Sequence, residues 1–115
     1  MFTFTGRATR RRMLPLAVAC TLLGLAAPAG ATEITIKIDN FVFVPDTVTI
    51  KPGDVVTWQN VDDIPHLIAS KKPGAFRSKA LDTDDKFTFT FTTEGTYDYF
   101  CGLHPRMLGK IIVAP

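Results

Sequence analysis

The chain has 115 residues, enough for one domain. Thirteen lysines and arginines face eleven acids, but four of the arginines (Arg7, Arg10, Arg11 and Arg12) lie in the first twelve residues. Residues 32–115 keep nine basic and eleven acidic side chains, a net charge of −2. They carry no lysine or arginine cluster beyond Lys71-Lys72, which excludes a nucleic-acid-binding role.

Residues 1–31 read as a leader, and residues 32–115 as a single domain. A basic start precedes the uncharged apolar run Leu14–Ala27, and Ala29-Gly30-Ala31 fits the small-residue cleavage pattern of a secretory signal peptide. The run is short for a membrane span of about 20 residues. Cleavage after Ala31 is expected, leaving no stable span. Thr9-Arg10-Arg11-Arg12-Met13-Leu14 also resembles a twin-arginine export signal, with Met13 where that motif usually has Phe. Cys20 lies in the middle of the apolar run, which does not suit a lipoprotein site.

From residue 32 the pattern is that of strands. Ile34, Ile36 and Ile38 alternate with Thr35 and Lys37, one face buried. Asp39-Asn40 breaks the strand, and Phe41-Val42-Phe43-Val44 is apolar before Pro45-Asp46 turns. Val48-Thr49-Ile50 leads to Lys51-Pro52-Gly53-Asp54, with Pro and Gly in the order of a type II turn. Val55–Asn60 is a strand ending in the polar loop Val61–Pro65, followed by the short apolar run His66–Ala69. Residues 70–85 show no readable period. Phe87, Phe89 and Phe91 alternate with threonines, which predicts phenylalanines inward. Thr96–Phe100 and Leu108–Val113 are further strands, and no stretch has a helical period. About seven or eight short strands with frequent turns predict an all-β Greek-key sandwich. Tyr97, just after a turn, suits either a tyrosine corner bonded back near Glu94 or a simple core position.

Between the last two strands lies Cys101-Gly102-Leu103-His104-Pro105-Arg106-Met107, which sets a thiol, an imidazole and a thioether at spacing Cys-x2-His-x2-Met. An electron-transfer copper site needs these donors and a second imidazole, and His66 is the other histidine of the chain. Alternation puts Cys101 on the same face as Tyr97 and Tyr99, with Phe100 on the opposite one. Residues 32–115 contain one cysteine, so no internal disulfide forms there, and an exported free thiol needs protection, which metal ligation supplies. A buried inert cysteine is the bland alternative. A structural zinc site is a second, disfavoured because Met is a poor zinc ligand.

Phe41-x-Phe43-x-Pro45, Val48-x-Ile50-x-x-Gly53-Asp54-x-Val56-x-Trp58-x-Asn60, Pro65-His66 and Cys101-x2-His104-x2-Met107 together resemble the cupredoxins, the type 1 blue copper proteins, over essentially all of residues 32–115. The two-residue gap between His104 and Met107 is similar to that of the amicyanin-like members. The resemblance implies a single copper ion with His66, Cys101 and His104 as equatorial ligands and Met107 as the axial one. It implies a periplasmic one-electron carrier that is not an enzyme, acting as a monomer between redox proteins such as a dehydrogenase or a c-type cytochrome. A periplasmic copper-delivery protein is the alternative, although such carriers tend to have several Met and His. Leu103, Pro105 and Pro65 are expected to form an exposed apolar docking patch around His104, rimmed by Arg106, with a second electron exit past Phe100. Relatives commonly carry Asn after the first ligand His and Thr after the Cys, a pair that ties the two ligand loops. Here these positions are Leu67 and Gly102.

Overall fold

The computed structural model describes residues 30–115; the leader, apart from Gly30 and Ala31, lies outside the described residues. Eight strands follow in order: β1 (Glu33–Asp39), β2 (Val42–Val44), β3 (Thr47–Ile50), β4 (Val55–Asn60), β5 (Ile68–Ser70), β6 (Lys86–Thr90), β7 (Gly95–Cys101) and β8 (His104–Val113). They form two four-stranded sheets, ordered β2-β1-β4-β6 and β3-β8-β7-β5. β1 runs parallel to β4 and β3 parallel to β8, and the other pairings are antiparallel. The described residues contain no helix long and apolar enough to cross a membrane.

The alternation read from the sequence builds the core between the sheets. Ile36, Ile38, Val56, Trp58, Tyr99 and Ile111 are fully buried. Trp58 lies at the centre, stacked on Phe76 and Phe87 and edge-on to Tyr99. The phenylalanines of β6 point inward less completely than expected. Phe91, just beyond β6, is buried, but Phe87 and Phe89 within it are half-buried, because β6 is the edge of its sheet and has a neighbour on one side only.

Three turns follow directly from their residues. Lys51–Asp54 closes with the Asp54 N–H donating to the Lys51 carbonyl at 3.0 Å, and Gly53 takes the positive φ of 94° that a type II turn requires at this position. β1 and β2 are joined by Asn40-Phe41 alone, since Asp39 pairs with Val42. Both turn residues have positive φ, 50° and 61°, as a type I′ hairpin demands. Asn accepts that conformation readily and Phe does not. Tyr97 is a tyrosine corner: its hydroxyl donates to the Thr93 carbonyl at 2.8 Å.

Of residues 70–85, which show no period in sequence, Ser70 ends β5 and residues 71–85 act as an irregular strap. Phe76, Ser78 and Leu81 are buried. His66 and Leu81 exchange both backbone hydrogen bonds, at 3.0 and 2.7 Å. Ser78 receives the Ile68 N–H on its Oγ at 2.9 Å and donates its own N–H to the Ile68 carbonyl at 2.9 Å. The strap thereby fixes the segment that carries His66.

Candidate metal centre

Asn60 ends β4 and organises the loop that follows. It is fully buried, its Nδ2 donates to the carbonyls of Ile64 and Leu81 at 2.8 and 2.9 Å, and its Oδ1 accepts the Asp62 N–H at 2.9 Å. These bonds curl residues 61–65 back and deliver His66 into the core, where it is completely buried. Cys101, at the end of β7, is completely buried too. The ladder of β7 and β8 shifts register between Phe100 and Cys101, and Cys101 then pairs with His104 across the turn Gly102-Leu103. The segment expected as a loop is thus a tight hairpin tip, which sets Cys101 and His104 opposite one another.

The donors converge. Cys101 Sγ lies 3.6 Å from His66 Nδ1 and 3.6 Å from His104 Nδ1, and all three donor atoms fall within 4.8 Å of one another. Sulfur and nitrogen bound to one ion at about 2.3 and 2.0 Å lie about 3.5–3.7 Å apart for angles between tetrahedral and trigonal. The observed separations fit that spacing and are long for hydrogen bonds between well-aligned partners. Met107 is buried, 6% exposed, and lines the same depression as His104. Thiolate, two imidazoles and a thioether form a donor set suited to copper.

Asp62 was not singled out from the sequence, although it stands four residues before His66. Its Oδ2 lies 3.1 Å from His66 Nε2. An ionised carboxylate only accepts, so Nε2 carries the proton and Nδ1 keeps its lone pair for a metal. The same Oδ2 accepts the Phe41 N–H at 3.2 Å. The His66 ring, first, and the backbone N–H groups of Phe41 and Asp63 hold the Asp62 carboxyl below its ordinary range, against a smaller opposing effect of burial.

Phe41 is the second such residue: it belongs both to the apolar run Phe41–Val44 and to the resemblance motif Phe41-x-Phe43-x-Pro45, and neither marks its place beside the ligands. Its ring meets His104 edge-on at 5.0 Å between centroids and His66 edge-on at 5.8 Å. It is 48% exposed and forms a partial lid over both imidazoles. The signal for it was Asn40, a residue suited to the first position of a two-residue hairpin turn, which places its successor at the tip.

Leu67 and Gly102, the departures noted in sequence, fit each other. A Cβ on Gly102 would come 2.6 Å from Leu67 Cδ2, so the leucine fills the space a larger residue would need. The loops are tied through the backbone instead: the Gly102 N–H donates to the Leu67 carbonyl at 2.9 Å, and the Leu67 N–H donates to Cys101 Sγ at 3.4 Å. That second bond favours the thiolate.

Outside the ligand pair lies an apolar rim. Phe41, Leu103, Pro105 and Arg106 line the depression at His104 together with Met107. Leu103 is half exposed and Pro105 is exposed, while Pro65, also exposed, does not line it. Phe100 is half-buried on the face opposite Cys101, as alternation requires.

Comparison with known proteins agrees with this geometry. The Cupredoxin-like domain family matches residues 12–113. The chain is 39% identical over 92 residues to amicyanin of Paracoccus versutus, covering 76% of this chain and 70% of the relative. It is 40% identical over 91 residues to amicyanin-alpha of Methylorubrum extorquens, covering 76% and 75%. Among solved structures, a purple cupredoxin of Nitrosopumilus maritimus superposes with a TM-score of 0.67 at 33% identity, over 70% of this chain and 98% of that one. A mutant amicyanin in its Cu(I) form also gives 0.67, at 30% identity over 71% and 82%. Fold, donor set and relatives agree: the chain belongs to the cupredoxin family, whose cofactor is one copper ion.

Proposed function

We propose that this chain is an exported one-electron carrier in which His66, Cys101 and His104 are the equatorial copper ligands and Met107 the weak axial one. The observation that carries the reading is the buried thiol set 3.6 Å from each of two imidazole nitrogens. Bound copper supplies the Cu(I)/Cu(II) couple. The chain's own residues do the rest. Asp62 fixes the His66 ring, the Leu67 N–H supports the thiolate, and Phe41 keeps water off both imidazoles. Donors locked in this way move little between oxidation states, which favours fast transfer over turnover. Both histidines and the cysteine are committed to the metal, which leaves no free imidazole or thiolate at the site for acid–base or nucleophilic catalysis.

Electrons enter and leave at His104, whose surroundings (Phe41, Leu103 and Pro105) offer an apolar contact for a redox protein such as a dehydrogenase or a c-type cytochrome. Redox encounters use small interfaces, below about 1,200 Å², which such a rim suffices to supply. Arg106 biases the choice toward acidic partners. Residues 1–31 act as a cleaved leader and place the monomeric domain in the periplasm.

The test is Cu(II) titration of the metal-free protein. An intense blue absorption that bleaches reversibly on reduction is expected, and Cys101→Ser removes it while the β-type circular dichroism persists. A weakly coloured protein that retains only Cu(I) would point to copper delivery instead.

A further inference from the structure

At the end of β4 remote from the ligand loop, Asp54 is 4% exposed. Its Oδ2 accepts the Lys51 N–H at 2.9 Å, and its Oδ1 accepts the Thr32 N–H at 2.8 Å. No side-chain cation pairs with it among the described residues, where the ion pairs join His66 to Asp62 and Lys110 to Asp98. Buried carboxylates ordinarily have a cationic partner. Thr32 is fixed at its other backbone group as well, its carbonyl accepting the Val55 N–H at 2.9 Å. The two residues before it, Gly30 and Ala31, are exposed. The fold therefore takes hold of the chain at Thr32, next to the bond that Ala29-Gly30-Ala31 marks for cleavage.

We propose that maturation cuts between Ala31 and Thr32, and that the α-ammonium created on Thr32 is the missing counter-ion of Asp54. This rests on the export reading above. A membrane-bound signal peptidase of the exporting cell hydrolyses the bond with one water. The Ala31–Thr32 C–N bond breaks, the water's oxygen joins the Ala31 carbonyl carbon, which departs with the leader as a carboxylate, and both of the water's protons end on the Thr32 nitrogen, which becomes an ammonium. Before the cut that nitrogen offers Asp54 one neutral N–H. Afterwards the same atom carries a full charge, and 2.8 Å is the length of a charge-assisted bond between an ammonium and a carboxylate. The backbone N–H groups of Lys51 and Thr32, opposed by burial and helped by the more distant Lys51 charge, hold the Asp54 carboxyl below its ordinary range, so it is ionised when the amine appears. Cleavage thus locks the first residue of the mature chain to the turn that opens β4.

The experiment expresses the full chain in an exporting bacterium and recovers the copper-loaded product. Intact mass should show Thr32 as the first residue. Acylation of its α-amine at pH 7 should run at least tenfold slower than in the free tripeptide Thr-Glu-Ile, and Asp54→Asn should restore the fast rate. Asp54→Asn should also lower Tm by about 4–8 °C in the cleaved chain, the shift of one such bond in a domain of this size. The loss should be at most half as large in the uncleaved Ala29→Phe precursor, where Thr32 is an amide. Equal losses in the two backgrounds, or a Thr32 amine as reactive as the peptide's, would overturn the ion pair, and so would cleavage at another bond, while export would still stand. A chain left uncleaved in the exporting host would overturn both. The comparison with the free peptide needs no variant, so a poorly folding Asp54→Asn would not block the test.

Discussion

Phe41 stands in a backbone conformation that its side chain opposes, and replacing it separates what the fold wants from what the metal site wants. At φ 61° an L-residue loses about 1–2 kcal/mol, a strain that Phe41→Gly relieves and Phe41→Ala keeps. The ring is 48% exposed, so about half of the roughly 1.5–3 kcal/mol of a buried phenylalanine, about 1 kcal/mol, is lost in either variant. Glycine's freedom in the unfolded chain costs a further 0.5–1 kcal/mol or about that. The glycine variant should therefore fall within about 1 kcal/mol of the parent and exceed the alanine variant by about 0.5–1 kcal/mol, although alanine preserves more of the side chain. Urea unfolding of the metal-free proteins, followed by Trp58 fluorescence at equal m-values, measures the order. Both variants should lower the copper potential alike, because water admitted beside His66 and His104 favours the more highly charged Cu(II). An alanine variant more stable than the glycine one, or a cost above about 2 kcal/mol for glycine, would make Phe41 an ordinary packing residue. An unchanged potential would remove it as a shield.

Other residues give sharper single outcomes. Met107→Leu should raise the potential and Met107→Gln lower it, read by redox titration of the blue band; equal values in all three proteins would exclude Met107 as axial ligand. Leu103→Glu should slow electron self-exchange, measured by NMR line broadening, with the absorption and potential nearly unchanged; an unaltered rate would turn attention to Phe100. Gly102→Ala should cost about 1 kcal/mol through collision with Leu67, and Leu67→Ala should recover most of it, an interaction energy that thermal unfolding of the four proteins reveals.

What could be read from the sequence was what depends on local rules. Ile34, Ile36 and Ile38 show a buried face by alternation, Pro52-Gly53 names its turn, and Cys101, His104 and Met107 sit close enough in the chain to be seen as one group. Three features escaped because their partners are remote. The strap of residues 71–85 takes its course from backbone bonds to His66 and Ile68, and Phe76, Ser78 and Leu81 follow no period of their own. Asp62 matters through an oxygen shared between His66 and Phe41, two residues on different segments. Phe41 looked like the start of a strand, whereas the pairing of Asp39 with Val42 leaves it at a hairpin tip. Leu67 and Gly102 were visible as departures, but their mutual fit required the distance between them.

The position of β8 has a consequence for biosynthesis. This strand comes last along the chain yet lies inside its sheet, between β3 and β7. Its parallel partner β3 is about sixty residues earlier, so their pairing closes a long loop, the kind of contact that folds slowly. While a ribosome still holds His104–Val113, β3 has no bridge to β7, and two of the four candidate donors, His104 and Met107, have yet to join the others. Completion of the sheet and competence to hold copper thus fall on the same ten residues. A chain broken off before them would have neither, so copper should be captured only by molecules whose synthesis has reached the end of that strand.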